Sequence, residues 1–320
     1  MRSAVRRYST FCLAADVEAF PVTLHSVVLW MGDSVIARKR ASSIMTDVYN
    51  MFSHCKSRRI PYLAIDGERT KFQEFRRGLL ANEHRPARRP KPVTAFELVQ
   101  LAAHVDTSSI AEVQLWLAVI TSYRALLRPG TLCDHHLLRK HVHFEEDAFG
   151  SVRLDVHKIK TLRLCTGPSP VWLRPRSSPS PLPPNLVALL SPSKLLKGYF
   201  HRIGIYNSPS APLFPKLNSM GTATRPFKPL SYPRFLKKFK SMCSKAGVAP
   251  RSLQALRAGG RTDLTTQLLP EQLINTAGRW VPNSTVSPTY NRPDARVFNV
   301  IQTAFDRELD HAFRCLASTT

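Results

Sequence analysis

Residues 84–92 read His-Arg-Pro-Ala-Arg-Arg-Pro-Lys-Pro, three prolines and four basic residues in nine positions. Each proline fixes φ and removes a backbone donor, and the like charges repel, so the stretch reads as an extended linker and not as part of a core. It divides the chain in two. We place a first domain over residues 1–88, a basic connection over 89–93 and a second domain over 94–320. With 320 residues, 43% of them apolar, the chain can build a core on each side.

The two sides differ in hydrophobic period. Before the linker the sequence reads as helices only. Ile44, Met45, Val48, Tyr49 and Phe52 recur at helical spacing between Ala41 and His54, and Lys71 to Leu80 forms a second amphipathic piece. After the linker, Thr94 with Glu97 and Ser109 with Glu112 read as capping boxes. The second opens a helix that is apolar nearly all round, through Leu115, Trp116, Leu117, Val119, Ile120, Leu126 and Leu127, and so belongs in the middle of a domain. Pro129 and Gly130 are expected to stop it, leaving Arg128 at its C-terminal tip.

The period then switches to two. Val142 and Phe144 alternate with histidines, Asp147–Gly150 supplies a turn, and Val152, Leu154 and Val156 alternate with polar residues, which predicts a β-hairpin. Val171-Trp172-Leu173 is a candidate third strand. Helical pieces follow at 185–202, 231–246 and 252–268. Pro270 fits the first position of the next helix and Gly278 its C′ position. A last amphipathic helix spans about 293–316. The expected fold class is mainly α: an all-α N-terminal domain, then an α+β domain that is mostly helical with a small antiparallel sheet.

Lys and Arg outnumber Asp and Glu by 46 to 22, a formal charge of +24. Residues 1–93 hold 17 basic and 8 acidic residues and the remainder 29 and 14, so both halves face a polyanion. The Arg- and Ser-rich start, MRSAVRRYSTF, has the composition of a transit peptide but runs straight into a helical pattern. No apolar run reaches the roughly 18–20 residues that a membrane span needs. The six cysteines are scattered without a C-x-x-C, as in reduced thiols of an intracellular protein, nuclear if its host is eukaryotic. His135, His136, His141 and His143 have no matching Cys or His spacing to complete a metal site.

Within the second domain an ordered series stands out. Leu126-Leu-Arg128-Pro-Gly-Thr-Leu132 comes first, then Lys160-Thr161 near the end of the hairpin. Ser252-Leu-Gln254-Ala-Leu-Arg257-Ala-Gly-Gly260 follows, then Gly278-Arg279-Trp280, with Tyr290 ten residues on. This series resembles the tyrosine recombinase (phage integrase) family, and the tail with G-R-W resembles the branch found in eukaryotic mobile elements. The resemblance implies a helical core-binding domain (SAM-like) followed by a catalytic domain that cuts and rejoins DNA without metal or nucleotide cofactor. It implies a catalytic set of Arg128, Lys160, Gln254, Arg257, Trp280 and Tyr290.

The chemistry of these side chains agrees. Guanidinium groups stay charged and bind phosphate in bidentate fashion, which suits Arg128 and Arg257 to a phosphorane-like transition state. The resemblance implies a 3′-phosphotyrosine intermediate, which conserves the bond energy for religation. A lysine serves as general acid for the leaving 5′-oxygen; Lys158 competes with Lys160 for that role. The Trp280 indole N–H can donate to a non-bridging oxygen, and Trp280 can equally be core packing.

Phosphate contacts are expected from Arg38, Lys39 and Arg40, from Arg85, Arg88, Arg89 and Lys91 in the linker, and from Lys237, Lys238 and Lys240. The last three lie off the apolar stripe of Phe235, Leu236, Phe239, Met242 and Cys243. The resemblance further implies a clamp around duplex DNA and a homotetramer on DNA joined through the C-terminal helix; packing of that helix on its own domain is the alternative. Gln254 stands where the family usually has histidine, and Thr131 where it usually has an acid. Two other readings therefore stay open: a catalytically impaired or domesticated DNA-binding relic of a mobile-element recombinase, and a topoisomerase-like relaxer.

Overall fold

The computed structural model describes residues 2–82, 91–133, 137–146, 150–157, 169–176, 180–280 and 295–318. The chain divides into two units, Met1–Arg88 and Arg89–Thr320. Both are mainly helical, and the second carries a small antiparallel sheet.

Four helices make the first unit: α1 (Arg2–Ala14), α2 (Leu24–Ile36), α3 (Ala41–Arg58) and α4 (Glu68–Ala81). Their apolar stripes meet in a core of Val27, Trp30, Met31, Ile44, Val48, Met51, Phe52 and Phe72. Thr23 and Ser26 close a reciprocal capping box at the start of α2. The buried Glu68 carboxylate accepts the Leu24 N–H at 2.7 Å and so ties the start of α4 to the same helix end. Tyr8 donates to Ser26 Oγ at 2.7 Å; burial pushes its phenol well above the ordinary value.

The second unit is built around α6 (Ile110–Arg124), in which every residue from Val113 to Arg124 is buried. Around it lie α5 (Ala95–Ala103), α7 (Pro129–Cys133), α8 (Pro184–Leu189), α9 (Pro192–Arg202), α10 (Tyr232–Lys245), α11 (Gln254–Thr266), α12 (Glu271–Gly278) and α13 (Ala295–Ala317). The sheet is β1 (Val142–Phe144), β2 (Val152–Val156) and β3 (Ser169–Leu173), antiparallel in that order, with Val142 opposite Leu154 and Leu154 opposite Val171. Val152, Leu154 and Val156 face the core. Arg153 and Asp155 face outward in a ladder of ion pairs with Glu145 and His143.

Gly260 lets α11 cross α6 at backbone contact, and Gly259 lets it meet the backbone that leads into α5. A Cβ on Gly259 would lie 1.9 Å from the Val93 carbonyl oxygen, and one on Gly260 2.6 Å from that of Tyr123. Both obstacles are backbone atoms, which have little room to yield. The pair of glycines in the motif is thereby a packing requirement that places Arg257 against the end of α6.

Several sequence expectations need correction. The apolar helix stops at Arg124, not at Arg128: Leu126 turns left-handed at φ 49°, and Leu127 N–H bonds back to Ser122 O at 3.0 Å. Pro129 then opens α7, since its missing N–H costs nothing in a first helical turn, and Arg128 is the residue before it. Likewise Gly278 is the last residue of α12, and Arg279 takes the left-handed position at φ 56°. Pro270 is the N-cap of α12, one place earlier than expected. The piece at 185–202 is two helices, broken where Pro192 restarts the backbone. The box at 109–112 is half made: Ser109 caps Glu112, whose carboxylate turns to the Asp106 N–H at 2.9 Å.

The stripe of α13 is occupied within its own unit. Phe298, Ile301, Phe305 and Leu309 are buried against α5, α11, α12 and β3. In the single chain the helix therefore packs on its own unit, the alternative set beside assembly through this helix.

Candidate functional site

Arg257 sits one turn into α11, on the side carried against α6 by Gly259 and Gly260. It is 8% exposed. Its guanidinium donates to the Gly278 carbonyl and lies 4.5 Å from the centre of the Trp280 ring. Arg261, one turn further along α11, lies 4.9 Å from the same ring and pairs with Glu271 at 3.1 Å. Gly278 has no Cβ because the Trp280 ring occupies that space, at 1.6 Å from where the atom would be. Trp280 is therefore a packing surface for Arg257. Gln254, one turn before Arg257, is exposed.

Arg128, the residue before α7, is near enough for its charge to act on Arg257 and Arg279. Burial is the first cause that pushes Arg257 down to about 10, and the positive charges of Arg128 and then Arg261 push it further. Arg279, 6% exposed, is pushed down to about 9 by burial and then by Arg257 and Arg128. Both stay charged at neutral pH. The chain thus brings together Arg128, Arg257 and Trp280 from its expected site, and adds Arg279.

No carboxylate answers Arg128 or Arg257 among the described residues, and the buried Nε of Arg257 has no acceptor there. Arg124 and Arg176, also buried in this unit, each have a carboxylate partner. Arg124 donates to Asp306 Oδ1 at 2.9 Å, to Gln302 Oε1 at 2.8 Å and to Leu190 O at 2.7 Å. Arg176 pairs with Asp310 and donates to Ser180. Arg124 and Arg176 are thus each supplied with an acid, whereas the buried Arg279 is met by backbone carbonyls. Like charges gathered in a half-buried place without an acid are costly unless an anion arrives.

Lys160 and Tyr290 lie outside the described residues; Lys160 falls between β2 and β3, and Tyr290 between α12 and α13. Arg85, Arg88 and Arg89 also lie outside them. Of the other basic candidates, Arg38, Lys39, Lys91, Lys237 and Lys240 are exposed, while Arg40 is half-buried at the N-cap of α3. Lys238 is half-buried, and burial with the neighbouring Arg234 holds its amine below the ordinary value. No cluster able to hold a metal ion occurs among the described residues, and no described helix is long and apolar enough to cross a membrane.

Sequence reasoning passed over Arg279, although it stands inside the G-R-W motif. It also passed over Arg124, whose signal was a lone charge in a helix apolar on every side. A further buried acid was missed. Asp263 of α11 is pushed up to about 8 by burial and then by the charge of Glu308 on α13, which itself accepts from Gln267 at 2.6 Å. The folded value lies above the ordinary 3.8, so the protonated carboxyl is the form the fold favours. Its contribution to stability is complete below about pH 4 and is lost as pH rises toward 8. Asp263→Asn is expected to flatten the decline of the unfolding midpoint over this window; an unchanged pH profile would contradict the assignment.

No family model matches the chain, and no curated protein matches it. Among solved structures, the integrase from mycobacterium phage Brujita is similar at 16% identity with a TM-score of 0.40, over 96% of this chain and 84% of that one. A lambda integrase dimer bound to a COC′ core site is similar at 14% identity with a TM-score of 0.43, over 88% of this chain and 80% of that one.

Proposed function

We propose that the chain is a DNA strand-exchange protein of the tyrosine recombinase kind, in which Arg128 and Arg257 hold one phosphate of the DNA backbone while Tyr290 attacks it. The observation that carries this reading is the pair of guanidinium groups, drawn together and unanswered by any carboxylate among the described residues. An inorganic or nucleotide phosphate would answer the charge as well. What favours a nucleic-acid backbone is the formal charge of +24 spread over both halves of the chain, with exposed Arg38, Lys39, Lys91, Lys237 and Lys240 to bind flanking phosphates.

On this reading the phenol oxygen of Tyr290 bonds to phosphorus as its proton passes to water, and the bond from phosphorus to the 5′-oxygen breaks with a proton from Lys160. The released 5′-hydroxyl, or that of a partner strand, then reverses the step and expels the tyrosine. The arginines neutralise charge on the non-bridging oxygens as the transition state forms. Trp280 backs Arg257 and keeps its fork aimed, a role supported by the ring stacked on the guanidinium. Gln254 in place of histidine removes a proton acceptor but keeps a hydrogen-bond donor for a phosphate oxygen, which slows the reaction without forbidding it.

A nicked duplex pool with a randomised core tests the proposal. The full chain is expected to accumulate a covalent protein–DNA adduct, and Tyr290→Phe none. Duplex binding without adduct from the unaltered chain would install the DNA-binding relic instead, and relaxation of supercoils without recombinant product would favour the topoisomerase-like relaxer.

A further inference from the structure

Arg279 is buried, and its side chain is turned toward the end of α6. Its Nη2 donates to two backbone carbonyls, Ala125 O at 2.8 Å and Leu126 O at 3.1 Å. These carbonyls belong to the turn just past the end of α6, whose own last carbonyls are met by the N–H groups of Ala125, Leu126 and Leu127 and by Gln302. A buried turn of this kind needs a donor, and a cation there also meets the negative end of the helix dipole. The same two residues form the left-handed turn that leads through Leu127 to Arg128. Immediately before Arg279 in the chain, the Gly278 carbonyl accepts from Arg257. The tip of α12 thus holds both arginines of the site, one through its own carbonyl and one through the turn that carries it.

We infer that Arg279 is a positioning residue, which fixes the α6–α7 turn and through it the distance between Arg128 and Arg257. The consequence for strand cleavage rests on the proposed function; the mechanical claim does not. The left-handed backbone at Arg279 fits this role. That conformation is uncommon for a residue with a Cβ, and it points the side chain back beneath α12 toward α6. Trp280 N–H bonds to Asn275 O at 2.9 Å and locks the cap in place.

Two readouts on the full chain separate the inference from the reading it serves. The first is amide hydrogen exchange in the peptide spanning Ala125 to Cys133, whose reporters include Leu127 N–H on Ser122 O and Thr131 N–H on Arg128 O. Arg279→Met removes the donors and keeps the length. It is expected to speed exchange there by roughly tenfold or more, as befits two buried carbonyls left unmet, with the middle of α6 unchanged. Arg279→Lys, which restores a cationic donor, is expected to recover part of the protection. Unchanged exchange in Arg279→Met, or loss spread evenly over the unit, overturns the inference.

The second readout is adduct formation on the nicked pool. Arg279→Met is expected to lower the single-turnover rate by about a hundredfold at saturating DNA while duplex affinity changes by less than about threefold, with partial rescue by lysine. A rate equal to that of the unaltered chain would overturn the positioning role and leave the strand-exchange reading standing. Absence of adduct from the unaltered chain would sink that reading, with the exchange experiment still deciding what Arg279 does.

Discussion

Arg257→Met is expected to lower the rate of adduct formation by about 10²–10³-fold or more, while the unfolding midpoint stays within about 3 °C of the unaltered protein or rises above it. The two halves of this result come from one cause. Arg257 is a buried cation with Arg128 and Arg261 as its nearest charges, and burial with those charges pushes it down to about 10. It remains protonated below that pH, so the folded state carries the whole penalty at neutrality and sheds it only in alkaline solution. Methionine keeps most of the volume and removes the charge. The losses are the hydrogen bond to Gly278 O and the stacking on Trp280, each worth about 1 kcal/mol. Relief from repulsion and desolvation offsets them. Differential scanning fluorimetry beside the nicked-duplex assay checks both halves; a fall of about 10 °C in the midpoint would show that Arg257 serves the fold.

Arg124→Met, on α6 of the same unit, is expected to do the opposite.

 

The Arg124 guanidinium is fully buried and answered on every side, by Asp306, by Gln302 and by the Leu190 carbonyl, and Gln302 returns a bond to Arg124 O at 3.1 Å. Removing it takes the 2.9 Å ion pair from the Asp306 carboxylate and a 2.7 Å donor from the Leu190 carbonyl. Breaking a buried pair from one side costs about 3–5 kcal/mol, which lowers the midpoint of a unit this size by about 10 °C. Calorimetry of the two methionine variants side by side is the check. A midpoint for Arg124→Met equal to that of the unaltered chain would contradict the distinction between arginines kept for the fold and arginines kept for an anion.

Much of the architecture was legible in the residues because period is legible. The switch from 3.6 to 2 across Val142–Val156 placed the sheet, and the all-round apolar run from Val113 placed the central helix. Helix ends were less legible. Arg124, Leu126 and Gly278 show why: a left-handed residue at a helix end needs no glycine when buried hydrogen bonds around it fix the turn, so Leu126 and Arg279 take positions that composition assigns to glycine. Proline was ambiguous for the same reason, since Pro129 starts a helix as readily as it ends one.

The site was legible as a set and not as a geometry. Arg128, Arg257 and Trp280 could be named from spacing, but that Trp280 stacks on Arg257, and that Arg279 turns toward α6 rather than outward, depends on where α11 and α12 cross. Those placements depend on Gly259 and Gly260, where a side chain would meet backbone, and on Gly278, where it would meet the Trp280 ring. A pattern in one sequence records which residue is present, and only the packed neighbour explains why nothing larger fits.

The convergence of Arg128 and Arg257 on one anion is tested most directly by a double-substitution cycle on duplex binding at fixed salt, with Arg128→Met, Arg257→Met and both together. If the two guanidinium groups share a phosphate, losing either releases it from the other, and the double variant loses less affinity than the two single losses combined, by about 1 kcal/mol or more. Losses that add to within about 0.3–0.5 kcal/mol would mean that the two arginines act on separate phosphates, and the site as described would not exist.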